Sequence, residues 1–141
     1  MIQRYRGKIS GPLLDRIDLH VDVPAVPVRA LSADAQAEPS AAIRARVEAA
    51  RARQAARYGR DGGLTNAQLR GRAIRRHCAV DGEARRLLET AVERLGLSAR
   101  AYTRILKVAR TIADLAGRDA LTPQDIAEAI QYRTLDRRLV T

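Results

Sequence analysis

The groups in this sequence best equipped for chemistry are guanidinium groups, and they are unevenly placed. Arg16 stands between two carboxylates in Leu14-Asp15-Arg16-Ile17-Asp18. Far downstream, Arg100, Arg104, Lys107 and Thr111 fall at helical i+4, i+7 and i+11 spacing, which gathers the three cations on one edge. Between them, residues 40–78 hold ten arginines against Glu48 and Asp61, so eight of the chain's ten net positive charges lie there. A cation excess of this size suits a phosphate-bearing partner, and the stripe in 40–78 a nucleic-acid backbone bound in a salt-sensitive, sequence-tolerant manner. The competing reading is an arginine-rich proteome whose helix faces are simply solvated.

What is missing narrows the field. No Gly-x-x-x-x-Gly-Lys-Ser/Thr loop occurs, nor an apolar strand ending in Asp-Glu, so the chain alone offers no phosphate cradle and no magnesium site. No Ser/His/Asp or Cys/His grouping has spacing suited to nucleophilic catalysis, and the chain by itself is not expected to catalyse a reaction. Cys78 is the sole cysteine, which excludes an intramolecular disulfide and a cysteine-based zinc cluster. His20 and His77 are far apart, and no metal site is expected. Phe and Trp are absent and only Tyr58 lies near the basic segment, so base stacking has no platform. No apolar run approaches the ~20 residues that span a bilayer. Met1 to Lys8 lead into no signal region, and a cytoplasmic protein without a membrane partner is expected.

The elements that must position these groups can be read from periodicity and caps. A chain of 141 residues is one domain, or one domain and a tail. Its apolar fraction is rich in alanine and poor in aromatics, which favours closely packed helices. Ile9 to Ile17 reads as a short helical turn with Pro12 near its start. Asp18 to Val23 alternates polar and apolar with a period of two, as a strand does. A solitary strand cannot satisfy its backbone, so its partners are expected upstream. Pro24, Pro27 and Pro39 bracket a linker.

From Ser40 onward the pattern is helical. The first helix runs to about Tyr58, with Ile43, Val47, Ala50, Gln54 and Tyr58 inward; Arg46, Arg53, Arg57 and Arg60 flank that stripe within about 60° at 100° per residue, a candidate nucleic-acid track. Thr65 and Gln68 form a capping box that opens a helix to about His77. Gly82 to Leu95 follows, with Ala84, Leu88, Ala91 and Leu95 inward and Gly96 as its stop. Ser98 opens a helix to about Ala116 whose inner face is Ala101, Ile105, Ala109, Ile112 and Ala116. Thr122, Pro123 and Asp125 start the last, to about Arg133, with Ile126 and Ile130 inward. The expected fold is all-α: a bundle of about five helices over residues 40–141, preceded by a helical turn and orphan strand in 1–24 and a linker in 25–39. Residues 1–39 are expected to be held more loosely than the bundle.

Two long stretches carry a family resemblance. Ile9-Ser10-Gly11-Pro12-Leu13-Leu14-Asp15-Arg16-Ile17-Asp18-Leu19-His20-Val21-Asp22-Val23-Pro24 closely resembles the segment that follows sensor 1 in the magnesium-chelatase-like AAA+ ATPases of the ComM/YifB group, and more distantly a segment of minichromosome-maintenance helicases. Leu97-Ser98-Ala99-Arg100-Ala101-Tyr102-Thr103-Arg104-Ile105-Leu106-Lys107 and the residues after it resemble that group's sensor 2 helix, and Leu121 to Arg133 its last lid helix. The resemblance implies that residues 1–24 end an ATPase core lying upstream and that 40–141 are the helical lid. It assigns Arg16 as an arginine finger acting on a neighbouring subunit, and Arg100, seconded by Arg104, as the sensor 2 contact to the nucleotide. It implies ATP and Mg2+ in the full-length protein, none held by this piece alone, and a homo-oligomeric ring, expected to be a hexamer. The implied work is DNA remodelling: branch migration or helicase action in natural transformation. Two alternatives stand beside it, a metal-insertion ATPase subunit of the chelatase type and a freestanding helical nucleic-acid-binding module. Replacing Arg16 by Ala separates the last from the others.

Overall fold

A computed structural model describes residues 8–28, 37–59 and 64–133. Helix α1 (Gly11–Leu14) is a single turn, with Pro12 in its first positions and Leu14 buried. After it come α2 (Ser40–Tyr58), a 3-10 turn (Asn66–Gln68), α3 (Gly71–His77), α4 (Gly82–Leu95), α5 (Ala99–Leu115) and α6 (Pro123–Gln131). The fold is all-α.

Local chemistry sets most of the boundaries. The Asp81 carboxylate accepts from Ala84 N at 2.9 Å and the Ser98 hydroxyl from Ala101 N at 3.2 Å, each satisfying an amide that α4 or α5 leaves without an intrahelical partner. Thr122 and Asp125 form a reciprocal capping box at α6, with Pro123 following. Gly96, at φ +60°, ends α4 in the left-handed region, where a Cβ is penalised.

The core is built around α5, whose Ala101, Ile105 and Ala109 are fully buried and allow close approach of α6 through Ile126, Ala129 and Ile130. Ala84 and Leu88 bring α4 against α6. Side chains this small and stiff fill the interior by interdigitation, at close-packed density.

Three expectations are corrected by the structure. The expected helix from Thr65 is broken: the capping bond from Thr65 N to Gln68 Oε1 (2.8 Å) is present, but only a 3-10 turn follows, and Leu69 and Arg70 are extended before α3. Tertiary demands win there, because Leu69 is buried in the core and the amide of Asn66 donates to the buried Gln54 at 3.0 Å. The inward stripe of α2 holds only in its second half; Ile43 and Val47 are 44% and 48% exposed, so the start of α2 projects beyond the bundle.

Third, no strand forms among the described residues. Asp18 to Val23 has no ladder partner there, and His20 N donates instead to Tyr132 O at 2.8 Å. Alternation reports two faces, whereas a strand also needs a neighbour. Rather than standing apart from the bundle, residues 14–20 are packed onto it through Leu14 and His20, while Val21, Val23, Val26 and Val28 are exposed. No helix among the described residues is long and apolar enough to cross a membrane.

Candidate functional site

Arg16 follows α1 on a tight turn, where its amide donates to Leu13 O at 3.0 Å. Its side chain is exposed, and the two carboxylates beside it in sequence are engaged elsewhere. Asp15 lies 3.9 Å from the guanidinium of buried Arg133, and Asp18 pairs with Arg104. Arg16 itself makes no side-chain hydrogen bond or ion pair among the described residues. It is a cation held on a fixed turn with its charge unspent.

Arg100 sits in the first turn of α5 and is likewise exposed and unpaired, with only its carbonyl engaged, accepting from Thr103 Oγ1 at 2.9 Å. The rest of the cationic edge is committed internally. Arg104 holds Asp18, Lys107 Nζ donates to Ala67 O at 2.9 Å, and the Thr111 hydroxyl donates to Lys107 O at 3.0 Å. Burial, helped by the charges of Arg104 and Arg70, holds the Lys107 ammonium below its ordinary pKa. Sequence spacing therefore placed the edge correctly, but only its amino-terminal member faces outward with its charge free.

Arg46, Arg53 and Arg57, the described arginines of the expected track on α2, each meet a carboxylate. Arg46 pairs with Glu38 and Arg53 with Asp119, both near the surface; Arg57 is forked onto fully buried Asp114. Arg60 lies outside the described residues. Around Asp114 a polar cluster ties three elements: Asn66 Nδ2 donates to it at 2.9 Å, Arg110 approaches at 3.4 Å, and Tyr58 Oη donates to Asn66 Oδ1 at 2.6 Å. Burial alone pushes the Asp114 carboxyl upward; the hydrogen bonds from Arg57 and Asn66 and the charges of Arg57 and Arg110 outweigh it and leave the pKa below the ordinary value. Arg110 also donates to the carbonyls of Arg118 and Asp119 at 2.8 and 2.6 Å, closing the loop after α5. This cluster holds α2 on α5 and is spent on the fold.

A different set of arginines is left open. Arg70, Arg72, Arg75 and Arg76, on and just before α3, are exposed and have no carboxylate partner among the described residues. A signal for them existed in the sequence: Leu64 to Val80 contains no acidic residue, so no carboxylate is available at helical spacing. Cys78, buried at the end of α3, has its thiol pushed up to about 11 by burial, which removes it as a nucleophile. No group of three or more His, Cys, Asp or Glu side chains suited to a metal ion occurs among the described residues.

Comparison with known proteins covers nearly the whole chain. Residues 37–133 match the family described as magnesium chelatase, subunit ChlI C-terminal, and residues 1–31 match magnesium chelatase, subunit ChlI. The chain is 45% identical to the protein YifB of Salmonella typhimurium over 97% of its length, and 44% identical to YifB of Escherichia coli. It is 42% identical to the competence protein ComM of Haemophilus influenzae over 98% of its length. It spans about a quarter (26%) of each of these relatives. With two family matches in the order that the Arg16 turn and the α2–α6 bundle require, the chain belongs to the magnesium-chelatase ChlI C-terminal family, within the AAA+ proteins, and groups with YifB and ComM.

Proposed function

We propose that this chain is the carboxyl-terminal portion of an AAA+ ATPase and that Arg16 and Arg100 are its two contacts to ATP. One observation carries the reading. Arg16 and Arg100, the two arginines at the family's motif positions, are exposed with no carboxylate partner among the described residues, a state they share with the arginines at α3, whereas Arg104 on the same edge as Arg100 is paired with Asp18. Arg16 would reach the γ-phosphate bound by a neighbouring subunit and neutralise the charge that builds as the phosphoryl group departs. Arg100, at the start of α5, would hold the nucleotide of its own subunit. The phosphate cradle and the Mg2+ ligands belong to the core expected before this segment. Bound ATP and Mg2+ would supply the phosphoryl transfer itself, and this chain's part is charge neutralisation and positioning.

The work driven by that hydrolysis is DNA remodelling, of the branch-migration or helicase kind, in a cytoplasmic ring. Its support is the name of the ComM relative, a competence protein, and the open basic face on α3. Arg46, Arg53 and Arg57 were the expected contacts to DNA; their carboxylate partners make Arg70, Arg72, Arg75 and Arg76 the better ones. The family's own description favours a second reading, insertion of magnesium into a tetrapyrrole. Measuring ATP turnover of the full-length protein with duplex or forked DNA, and separately with a porphyrin and Mg2+, distinguishes them. Stimulation by DNA and none by porphyrin is the expected result, and the reverse would replace the first reading by the second.

A further inference from the structure

The carboxyl end of α6 and the turn that carries Arg16 form one clasp. Arg133 is 1% exposed, and its Nη1 donates to Ile17 O while its Nη2 lies 3.9 Å from Asp15 Oδ1. One residue earlier, Tyr132 O accepts from His20 N at 2.8 Å. On the next element Arg104 holds Asp18. Groups on both sides of Arg16 are thus gripped by the bundle, while the Arg16 side chain stays exposed. An arginine keeps its charge even when buried, and burying it is costly unless its partners are well placed. Here the guanidinium is sunk against a helix of one turn, which has almost no packing of its own to hold it in place beyond Leu14.

We propose that Arg133 is a positioning residue for Arg16: it fixes the backbone of residues 15–20 on the end of α6, so that a tilt of the bundle re-aims the phosphate-facing guanidinium. The role rests on the ATPase reading above. The clasp itself does not. Pre-organising one end of a long, rotamer-rich side chain leaves less to be ordered when phosphate arrives, and a misplacement on the scale of an ångström is enough to cost much of a catalytic contact.

The test uses the full-length protein with Arg133→Gln, and with Asp15→Asn as a milder change on the part-exposed side of the same contact. Arg133→Gln should lower kcat on the order of a hundredfold with KM for ATP little changed, and Asp15→Asn should lower it less, in the same direction. Added to Arg16→Ala, Arg133→Gln should cause little further loss, because both remove one function. Amide exchange at His20 should speed up in the Arg133→Gln protein while Ile105 and Ala109 in α5 stay protected, which separates loss of the clasp from loss of the fold. Wild-type turnover in both single variants with a loosened His20 would overturn the proposal. So would a full additive loss on the Arg16→Ala background. If α5 also loses protection in Arg133→Gln, Asp15→Asn decides: a fall in kcat with α5 protected supports the role, and unchanged turnover overturns it. Unchanged turnover in Arg16→Ala removes the finger reading and this role with it, whereas rapid exchange at His20 in the unsubstituted protein removes the clasp alone.

Discussion

Asp114 shows how one buried carboxylate can decide what an arginine-rich helix is for. It draws in Arg57, Arg110 and Asn66, and removing it would leave the half-buried Arg57 and the buried Arg110 without their carboxylate. Asp114→Ala should therefore destabilise the chain by about 3–5 kcal/mol, read from the shift of the urea midpoint at constant slope. The pH dependence has a definite sign. The folded carboxyl has a lowered pKa, so its stabilisation is complete above the ordinary value of 3.8 and is lost as pH falls through the folded value. An acid titration of the unfolding free energy should show this fall in the wild type and a weaker one in Asp114→Asn. Cys78 offers a second check: with its thiol at about 11 and 2% exposed, it should react with a thiol reagent at pH 8 only as fast as the chain opens.

At the scale of elements, α3 carries three exposed arginines, Arg72, Arg75 and Arg76, with no carboxylate partner among the described residues. Replacing Arg72, Arg75 and Arg76 by Gln should weaken DNA binding and reduce the slope of log affinity against log salt by roughly 0.9 for each phosphate that is no longer neutralised. The same change at Arg53 and Arg57 should mainly cost stability, because those guanidiniums already serve Asp119 and Asp114. Equal effects from both sets on the salt slope would contradict this division. The reason spacing singled out the α2 arginines is physical. A helical wheel shows that Arg46, Arg53 and Arg57 share a side of α2, but it says nothing of the carboxylates that reach Arg57 from α5 and Arg53 from the loop after it, 57 and 66 positions away, nor of Glu38 reaching Arg46 from just before the helix. Caps and breakers act over three or four residues, and so the ends of α4, α5 and α6 were legible. The broken helix at Leu69 and the absent strand at Asp18 to Val23 were not, because both outcomes depend on what another element offers the backbone.

On the scale of the whole molecule, the two resembling segments are one physical unit. The Arg16 turn and α5 meet through Asp18 and Arg104, and the end of the last helix closes on the same turn through Arg133. Neither junction was visible from spacing, since their partners are 86 and 116 residues apart. The motifs singled out Arg16 and Arg100; that neither has a carboxylate partner among the described residues required the structure. Steady-state ATP turnover and nucleotide binding of the full-length protein with Arg16→Ala test the central claim most directly. A fall in kcat of about 10³-fold or more with the ATP dissociation constant nearly unchanged is the expected result; turnover equal to wild type would refute the finger role of Arg16.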